Sequence, residues 1–136
     1  MKKFVFILMI ISLGSVKISA QVMAAKAQWL TIKSANLRCW ECKEKLEQYL
    51  VRENEDMMQS GMLKRTYNLL AGEMRVQFLS DRVTPDAIRT ALNNAGFDAD
   101  STKATPDSYR LLPPICKRKE EGGGPKKGEP CHIEPN

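Results

Sequence analysis

The stretch that decides the fold is residues 29–50, which read WLTIKSANLRCWECKEKLEQYL. Its first five residues alternate between the two faces and are rich in β-forming side chains, so they predict a strand with Leu30 and Ile32 facing inward. From Cys39 onward the apolar side chains recur every three or four positions, which predicts an amphipathic helix. The helical apolar positions are Cys42, Leu46, Tyr49 and Leu50. The change of period places two cysteines where a loop enters a helix.

The central region continues with the same two patterns. Residues 62–70 and 74–79 read as a pair of strands. Residues 84–86 (TPD) begin a second helix, and Gly96 ends it. A short fourth strand is expected at residues 97–99. The order β-α-β-β-α-β predicts an α+β fold, the ferredoxin-like sandwich, with two helices on one face of a four-stranded antiparallel sheet.

The chain has 136 residues, and its first twenty have the layout of a secretory signal peptide. Lys2 and Lys3 precede a ten-residue run, FVFILMIISL, which only Ser12 interrupts, and the small residue Ala20 ends the segment. The apolar run is about half of the ~20 residues that a membrane span needs, which disfavours the alternative of a retained anchor. We therefore expect a cleaved signal at residues 1–20, a periplasmic or secreted protein, and no stable membrane insertion after cleavage.

The positive charge of the chain belongs largely to that leader. Residues 1–20 hold three lysines (Lys2, Lys3 and Lys17) and no acid, so the formal net charge falls from +5 to +2 without them. The remaining basic residues are mixed evenly with acidic ones. This balance argues against a nucleic-acid partner.

The last 32 residues have a different composition from the rest of the chain. Residues 105–136 hold six of the seven prolines, the run Gly122-Gly123-Gly124, and a cluster of charges at residues 117–121. Such a segment buries too little apolar surface to offset its ordering entropy, so it is predicted to be a disordered tail. The folded domain is accordingly expected at residues 28–104.

Cys39 and Cys42 are the candidate functional residues of that domain. A spacing of three brings both sulfurs to one side of the first helical turn, where free N–H groups and the helix dipole favour thiolates. Two convergent thiolates can chelate a soft ion such as Cu(I), or they can form a disulfide. Because CxxC serves redox, metal-binding and structural purposes alike, spacing alone leaves these uses open.

The sequence around the two cysteines resembles the heavy-metal-associated domain, a family that includes copper chaperones and periplasmic mercury-binding proteins. The resemblance rests on residues 36–42 (NLRCWEC), 84–85 (TP) and 95–97 (AGF), and it covers about residues 28–101. Asn36 takes the place of a glycine that is usual in the family.

This resemblance implies the ferredoxin-like fold and one soft heavy-metal ion bound between Cys39 and Cys42. Cu(I) is the favoured ion, with Hg(II) as an alternative. The resemblance also implies that Leu37 stands in the family's usual methionine position under the loop. Phe97 matches the aromatic residue that shields the loop from the far side.

The tail supplies further candidate ligands in Cys116, Cys131 and His132. They could join Cys39 and Cys42 in a site of three or four ligands, which would suit Zn(II) better than two thiolates alone. Alternatively, Cys116 and Cys131 could close a disulfide around the glycine-rich run, since an oxidising compartment allows it.

The resulting functional prediction is a metal carrier or chaperone that transfers its ion by ligand exchange, and not an enzyme. Its expected partner is a metal-transporting membrane protein or another metal-binding domain. Two alternatives stay open: a thiol-disulfide exchange protein, and a metal-free interaction module in which Cys39 and Cys42 form an inert disulfide.

Overall fold

The structure, a computed structural model, describes residues 26–56 and 61–135. Three strands and three α-helices lie in this part of the chain, followed by two short 3₁₀ segments, Pro114–Cys116 and Lys119–Glu121. The strands and helices are β1 (Ala27–Lys33), α1 (Trp40–Asp56), β2 (Met62–Asn68), β3 (Glu73–Leu79), α2 (Pro85–Asn94) and α3 (Pro106–Arg110). The predicted signal peptide, residues 1–20, lies outside the described residues.

The three strands form one antiparallel sheet in the order β1-β3-β2. Leu30 lies opposite Val76, and Ile32 lies opposite Met74, so inward-facing positions pair across the β1–β3 ladder. Ile32, Met74 and Val76 are fully buried, whereas Trp29 is exposed on the other face. The alternation predicted for β1 is therefore confirmed, and β3 alternates in the same way.

One face of the sheet supports the hydrophobic core, to which both longer helices contribute. The buried core residues from α1 are Cys42, Leu46 and Leu50, and those from α2 are Ile88 and Leu92. Both sets recur at the spacing of an amphipathic helix. The fold class, α+β with an antiparallel sheet, follows the prediction.

The signals that bound α2 work as expected. The Thr84 side chain accepts a hydrogen bond from the backbone N–H of Ala87, and Pro85 occupies the first helical position. At the other end Gly96 has φ +96°, and the N–H groups of Gly96 and Phe97 donate to Asn93 and Leu92. This pair of bonds is a Schellman motif, which closes the helix and turns the chain back toward the core.

The predicted fourth strand is absent from the described sheet. Residues 97–99 are buried but make only an isolated bridge, between Ala99 and Thr102. Beyond them, the backbone N–H of Asp100 donates to the carbonyl of Lys33 at 2.8 Å, and the Asp100 carboxylate accepts from the N–H of Lys33. The side chain of Asp100 thus takes the bond that a ladder would have formed, and Asp100 itself has φ +53°. Both of these hydrogen bonds to the edge of β1 are made at Lys33.

The prediction of a disordered tail is wrong for residues 105–135. This segment contains α3 and both 3₁₀ segments, and Leu112, Cys116 and Arg118 are buried. The composition of the segment predicted disorder because it lacks an apolar core of its own. The segment is instead ordered by two disulfides and a buried ion pair with the domain. None of the helices in the described ranges is both long and apolar enough to cross a bilayer.

Candidate functional site

Cys39 and Cys42 flank the first turn of α1, as the sequence predicts. The N–H groups of Cys42 and Lys43 both donate to the carbonyl of Cys39 at 3.1 Å, so Cys39 starts the helix. Both cysteines have no solvent exposure. Leu37 and Phe97, the residues expected under and beyond the loop, are also fully buried and belong to the same core.

The sulfurs of this turn are bonded to the tail. Cys39 forms a disulfide with Cys131, and Cys42 forms one with Cys116, with Cα–Cα distances of 4.7 and 5.4 Å. Both pairings considered from the sequence, Cys39–Cys42 and Cys116–Cys131, are therefore wrong for this structure. Two disulfides instead join the first turn of α1 to the tail.

This pairing decides which metal chemistry the oxidised chain allows. No cysteine in the described ranges is free, and no group of three or more His, Cys, Asp or Glu side chains there could hold a metal ion. A disulfide sulfur has no thiolate charge to donate. The two-thiolate donor set of Cys39 and Cys42 therefore does not fit a soft metal in this form, and it fits only after reduction.

Both disulfides lie at the same end of α1 but differ in their surroundings. Cys42 and Cys116 are fully buried, whereas Cys131 is partly exposed at the edge of a surface groove. The backbone N–H of Trp40 donates to the carbonyl of Cys131 at 2.6 Å, which satisfies one free N–H of the first helical turn. His132 is partly buried beside a neighbouring depression that Trp40 also lines.

Asn36 connects the loop, the end of α2 and the tail. Its side-chain NH₂ donates to the carbonyls of Gly96 and Cys116 at 3.1 and 3.0 Å. Its side-chain oxygen accepts from the backbone N–H of Asp98 at 3.0 Å and from the Ser34 hydroxyl at 3.2 Å. At 3% exposure, Asn36 has its hydrogen-bonding capacity used inside the protein, which orients the loop before Cys39.

Asp98 and Arg118 form a buried ion pair between the domain and the tail. Two guanidinium nitrogens of Arg118 bond the two carboxylate oxygens of Asp98 at 2.7 and 2.5 Å. Burial acts to raise the pKa of Asp98, but the bonds from Arg118 and from the N–H of Ala104, with the charge of Lys103, bring that pKa below its ordinary value. Arg118 also stacks on the Tyr109 ring, 4.1 Å from its centre.

Sequence reasoning missed both partners of this pair. Arg118 stands in a run of lysines, an arginine and glutamates that reads as a solvated surface segment, and Asp98 stands in a segment predicted as strand. They are 20 positions apart, so no local pattern joins them.

A second cluster of polar residues lies beside the site on α1 and β2. Arg65 makes a two-pronged ion pair with Glu47 at 2.9 and 2.8 Å, and the Tyr67 hydroxyl donates to the same carboxylate. Burial and the neighbouring Glu47 raise the pKa of Tyr67 well above its ordinary value. The Lys43 ammonium lies 3.7 Å from the centre of the Trp40 ring. The same ammonium lies 6.0 Å from the centre of the Tyr67 ring, so Lys43 stands between this cluster and Trp40.

Comparison with known proteins gives a distant likeness in structure only. No family model matches the sequence, and no curated protein matches it. Oxidised MerP from Ralstonia metallidurans CH34 is 15% identical, with a TM-score of 0.47 over 55% of this chain and 96% of that one. A protein from Bacillus anthracis str. Ames named for copper-ion binding is 21% identical, with a TM-score of 0.47 over 57% of this chain and all of that one. A ZiaAN mutant is 16% identical, with a TM-score of 0.45 over 55% of this chain and 97% of that one.

These three neighbours are proteins of the heavy-metal-associated kind, the family that residues 36–42 resemble. Identities under 25% with TM-scores below 0.5 describe a distant likeness of fold, over little more than half of this chain. They carry nothing about its metal or its partners.

Proposed function

We propose that this chain is a soft-metal-binding carrier whose site is closed by disulfides when oxidised and opens on reduction. The observation that supports the proposal is the meeting of four cysteines, from two distant parts of the chain, at the start of α1. Reduction by a dithiol converts each protein disulfide into two thiols, while the reductant becomes a cyclic disulfide. Cys39 and Cys42 are then free to bind an ion.

The chemistry of these two ligands suits a soft ion. On binding, two thiols lose their protons and donate as thiolates, and two thiolates alone suit Cu(I) best, with Hg(II) as the alternative. Transfer would follow by ligand exchange, in which a partner's thiolates attack the ion before Cys39 and Cys42 release it. In this exchange only metal–sulfur bonds form and break, and no covalent bond of the protein or its partner changes. The proposed role is therefore carriage and not catalysis.

The proposed setting follows from residues 1–20. A cleaved signal would place the mature chain in the periplasm or outside the cell, where disulfides persist and where reduction requires a dedicated dithiol donor. The proposed partner is a metal-transporting membrane protein or another metal-binding domain.

Metal binding by the two redox forms tests this function. The protein without residues 1–20 would be titrated with Cu(I) against a chromogenic Cu(I) chelator, once oxidised and once after reduction and removal of the dithiol. We expect one tightly bound Cu(I) per reduced chain and none per oxidised chain. The matched control is the reduced C39S/C42S variant, with its fold checked by circular dichroism. Equal binding by the reduced wild type and this variant would contradict the proposal.

The second candidate is a metal-free interaction module stapled by its disulfides. It is favoured by one observation: every cysteine in the described ranges is bonded, and Cys39, Cys42 and Cys116 have no solvent exposure. On this reading reduction destabilises the fold and creates no site. The same titration separates the two, because a module of this kind would bind no Cu(I) in either form.

A further inference from the structure

We infer that Cys131 is the sulfur at which the oxidised chain exchanges with an external thiol. The thiolate attacks the Sγ of Cys131, Cys39 leaves, and the Cys42–Cys116 disulfide stays closed. This inference deepens the proposed function, on which it rests for its purpose, by naming where reduction begins and which of the two disulfides opens first.

The four cysteines differ in their access to solvent. Cys39, Cys42 and Cys116 have no solvent exposure, whereas Cys131 is partly exposed on the wall of the groove beside α1. Thiol–disulfide exchange requires contact between the attacking thiolate and its target sulfur. An external thiol therefore reaches the Cys39–Cys131 disulfide, and it reaches it from the side of Cys131.

The charges around the same disulfide favour Cys39 as the leaving sulfur. When the S–S bond breaks, one sulfur takes the electron pair, and the better-stabilised thiolate leaves faster. Cys39 stands at the start of α1, where open N–H groups and the helix dipole favour negative charge. The Sγ of Cys131 lies 3.7 Å from the carbonyl oxygen of Arg38, whose partial negative charge disfavours a thiolate there. Attack on Cys131 with release of Cys39 satisfies both conditions.

The part of the tail around Cys116 is held by further bonds. Asn36 donates to the carbonyl of Cys116 at 3.0 Å, and Arg118, two residues further on, is paired with buried Asp98. None of these bonds involves a sulfur, so they persist when the other disulfide opens. A thiolate can contact the Cys42–Cys116 disulfide only after this part of the tail has opened locally.

The end of the tail meets α1 at Cys131. Residues 125–130 are exposed, and the N–H of Trp40 donates to the carbonyl of Cys131 at 2.6 Å. Once the Cys39–Cys131 disulfide is reduced, this hydrogen bond is a link that water can replace at small net cost. We therefore expect the end of the tail to leave α1 and to uncover the thiol of Cys39.

The exchange balances with a dithiol as the reductant. Its first thiolate forms a mixed disulfide with Cys131, and the electron pair of the broken S–S bond goes to Cys39. Its second thiolate then attacks its own sulfur of the mixed disulfide and releases Cys131. The dithiol, now a cyclic disulfide, has given up two electrons, and its two protons end on Cys39 and Cys131.

Trapping of the first mixed disulfide tests the site, with glutathione as the probe. The oxidised protein would be treated briefly with reduced glutathione, quenched with N-ethylmaleimide and digested with trypsin without reduction. By mass spectrometry we expect glutathione on peptide 128–136, which contains Cys131. N-ethylmaleimide should be on Cys39, in a peptide 39–43 that is still joined to peptide 111–117.

Two single-disulfide variants are the matched controls. C42S/C116S keeps the Cys39–Cys131 disulfide and should react with glutathione at the wild-type rate. C39S/C131S keeps the Cys42–Cys116 disulfide and should react at least about 100-fold more slowly, because local opening must precede attack. If either variant fails to fold, the position of glutathione on the wild type still decides.

The outcomes separate this inference from the proposed function. Glutathione on Cys39, Cys42 or Cys116, no mixed disulfide at all, or equal rates in the two variants would overturn the exchange site. These results would leave Cu(I) binding by the fully reduced chain untouched. Absence of Cu(I) binding together with glutathione on Cys131 would overturn the proposed function and support the exchange site.

Discussion

Asn36 shows how a single residue can explain a departure from a family pattern. The sequence resemblance places a glycine at this position, and glycine has no side chain with which to bond. In this chain the Asn36 amide joins the loop to Gly96, Asp98 and Cys116. Gly96 lies 60 positions from Asn36, and Cys116 lies 80 positions from it. The sequence near Asn36 therefore gives no sign of these bonds. The substitution is understood once the tail is seen to be part of the domain.

Asp98 gives a prediction at the same scale, in the dependence of stability on pH. Its pKa is lowered in the folded protein, so the stabilisation that it contributes is present above its ordinary pKa of 3.8 and is lost as pH falls through the folded value. D98N leaves the buried guanidinium of Arg118 with the half-exposed carboxylate of Glu121 as its remaining ionic partner, and we expect it to lower the free energy of unfolding at pH 7 by about 3 kcal/mol. Urea denaturation of wild type and variant from pH 7 to pH 3 measures the difference, which should narrow below about pH 4.

The control for D98N is D107N. Asp107 pairs with Arg110 on the surface, with 83% of its side chain exposed, and surface substitutions of this kind change stability by about 0.5 kcal/mol or less. A difference between wild type and D98N that stays constant down to pH 3 would show that the ionised carboxylate of Asp98 is not what stabilises the tail.

At the scale of elements, the sequence predicts the strands and helices that neighbouring residues determine. It does not predict the features that depend on residues distant in the chain. The three strands, α1 and α2 follow from periodicity and capping, all of which act within about ten residues. The predicted fourth strand does not form in the described sheet because the carboxylate of Asp100 accepts the hydrogen bond from the N–H of Lys33 at the edge of β1. The order of the tail was missed because its bonds reach back to Asn36, Asp98 and the α1 turn. The CxxC turn was located correctly, but the partners of its cysteines were not.

Gly96 gives a prediction about how two elements dock. Its φ of +96° is unfavourable for alanine, and a Cβ there would lie 3.0 Å from the carbonyl oxygen of Ser108 and 3.1 Å from Leu112. G96A therefore combines backbone strain of about 1–2 kcal/mol with two contacts to the start of the tail that are tighter than ordinary van der Waals distance. We expect a fall of about 3 kcal/mol in the free energy of unfolding, measured by urea denaturation.

Gly122 offers the matched comparison for G96A. It has a similar positive φ of +81°, but a Cβ there would meet nothing within 4 Å. G122A should therefore show the strain alone, about 1–2 kcal/mol. If both variants lose the same stability, the close approach of Ser108 and Leu112 to Gly96 has no energetic weight.

At the scale of the whole molecule, the tail is a covalent part of the domain. The two disulfides join residues 92 and 74 positions apart, and each closes a loop long enough to stabilise the fold by about 4 kcal/mol in the chain-entropy model. Because the loops share most of their length, the two contributions do not simply add. Four cysteines allow three pairings, and spacing does not choose among them. The choice depends on where the docked tail brings Cys116 and Cys131.

The pairing itself gives the last prediction, because the positions of lysine and arginine make it directly measurable. Trypsin cleaves after these residues, so Cys39 and Cys42 stay together in peptide 39–43 (CWECK), while Cys116 falls in 111–117 (LLPPICK) and Cys131 in 128–136 (GEPCHIEPN). For the oxidised protein we expect one species in which all three peptides are joined, measured by mass spectrometry without reduction. The pairing Cys39–Cys42 with Cys116–Cys131 would instead give a free peptide 39–43 with an internal disulfide, and 111–117 joined to 128–136.

A further cut after Glu41 separates Cys39 from Cys42, and the piece with Cys39 should then carry the Cys131 peptide alone. If the piece with Cys39 carries the Cys116 peptide instead, the two disulfide partners are exchanged. Cys131 would then pair with buried Cys42, which would contradict the pairing in the structure.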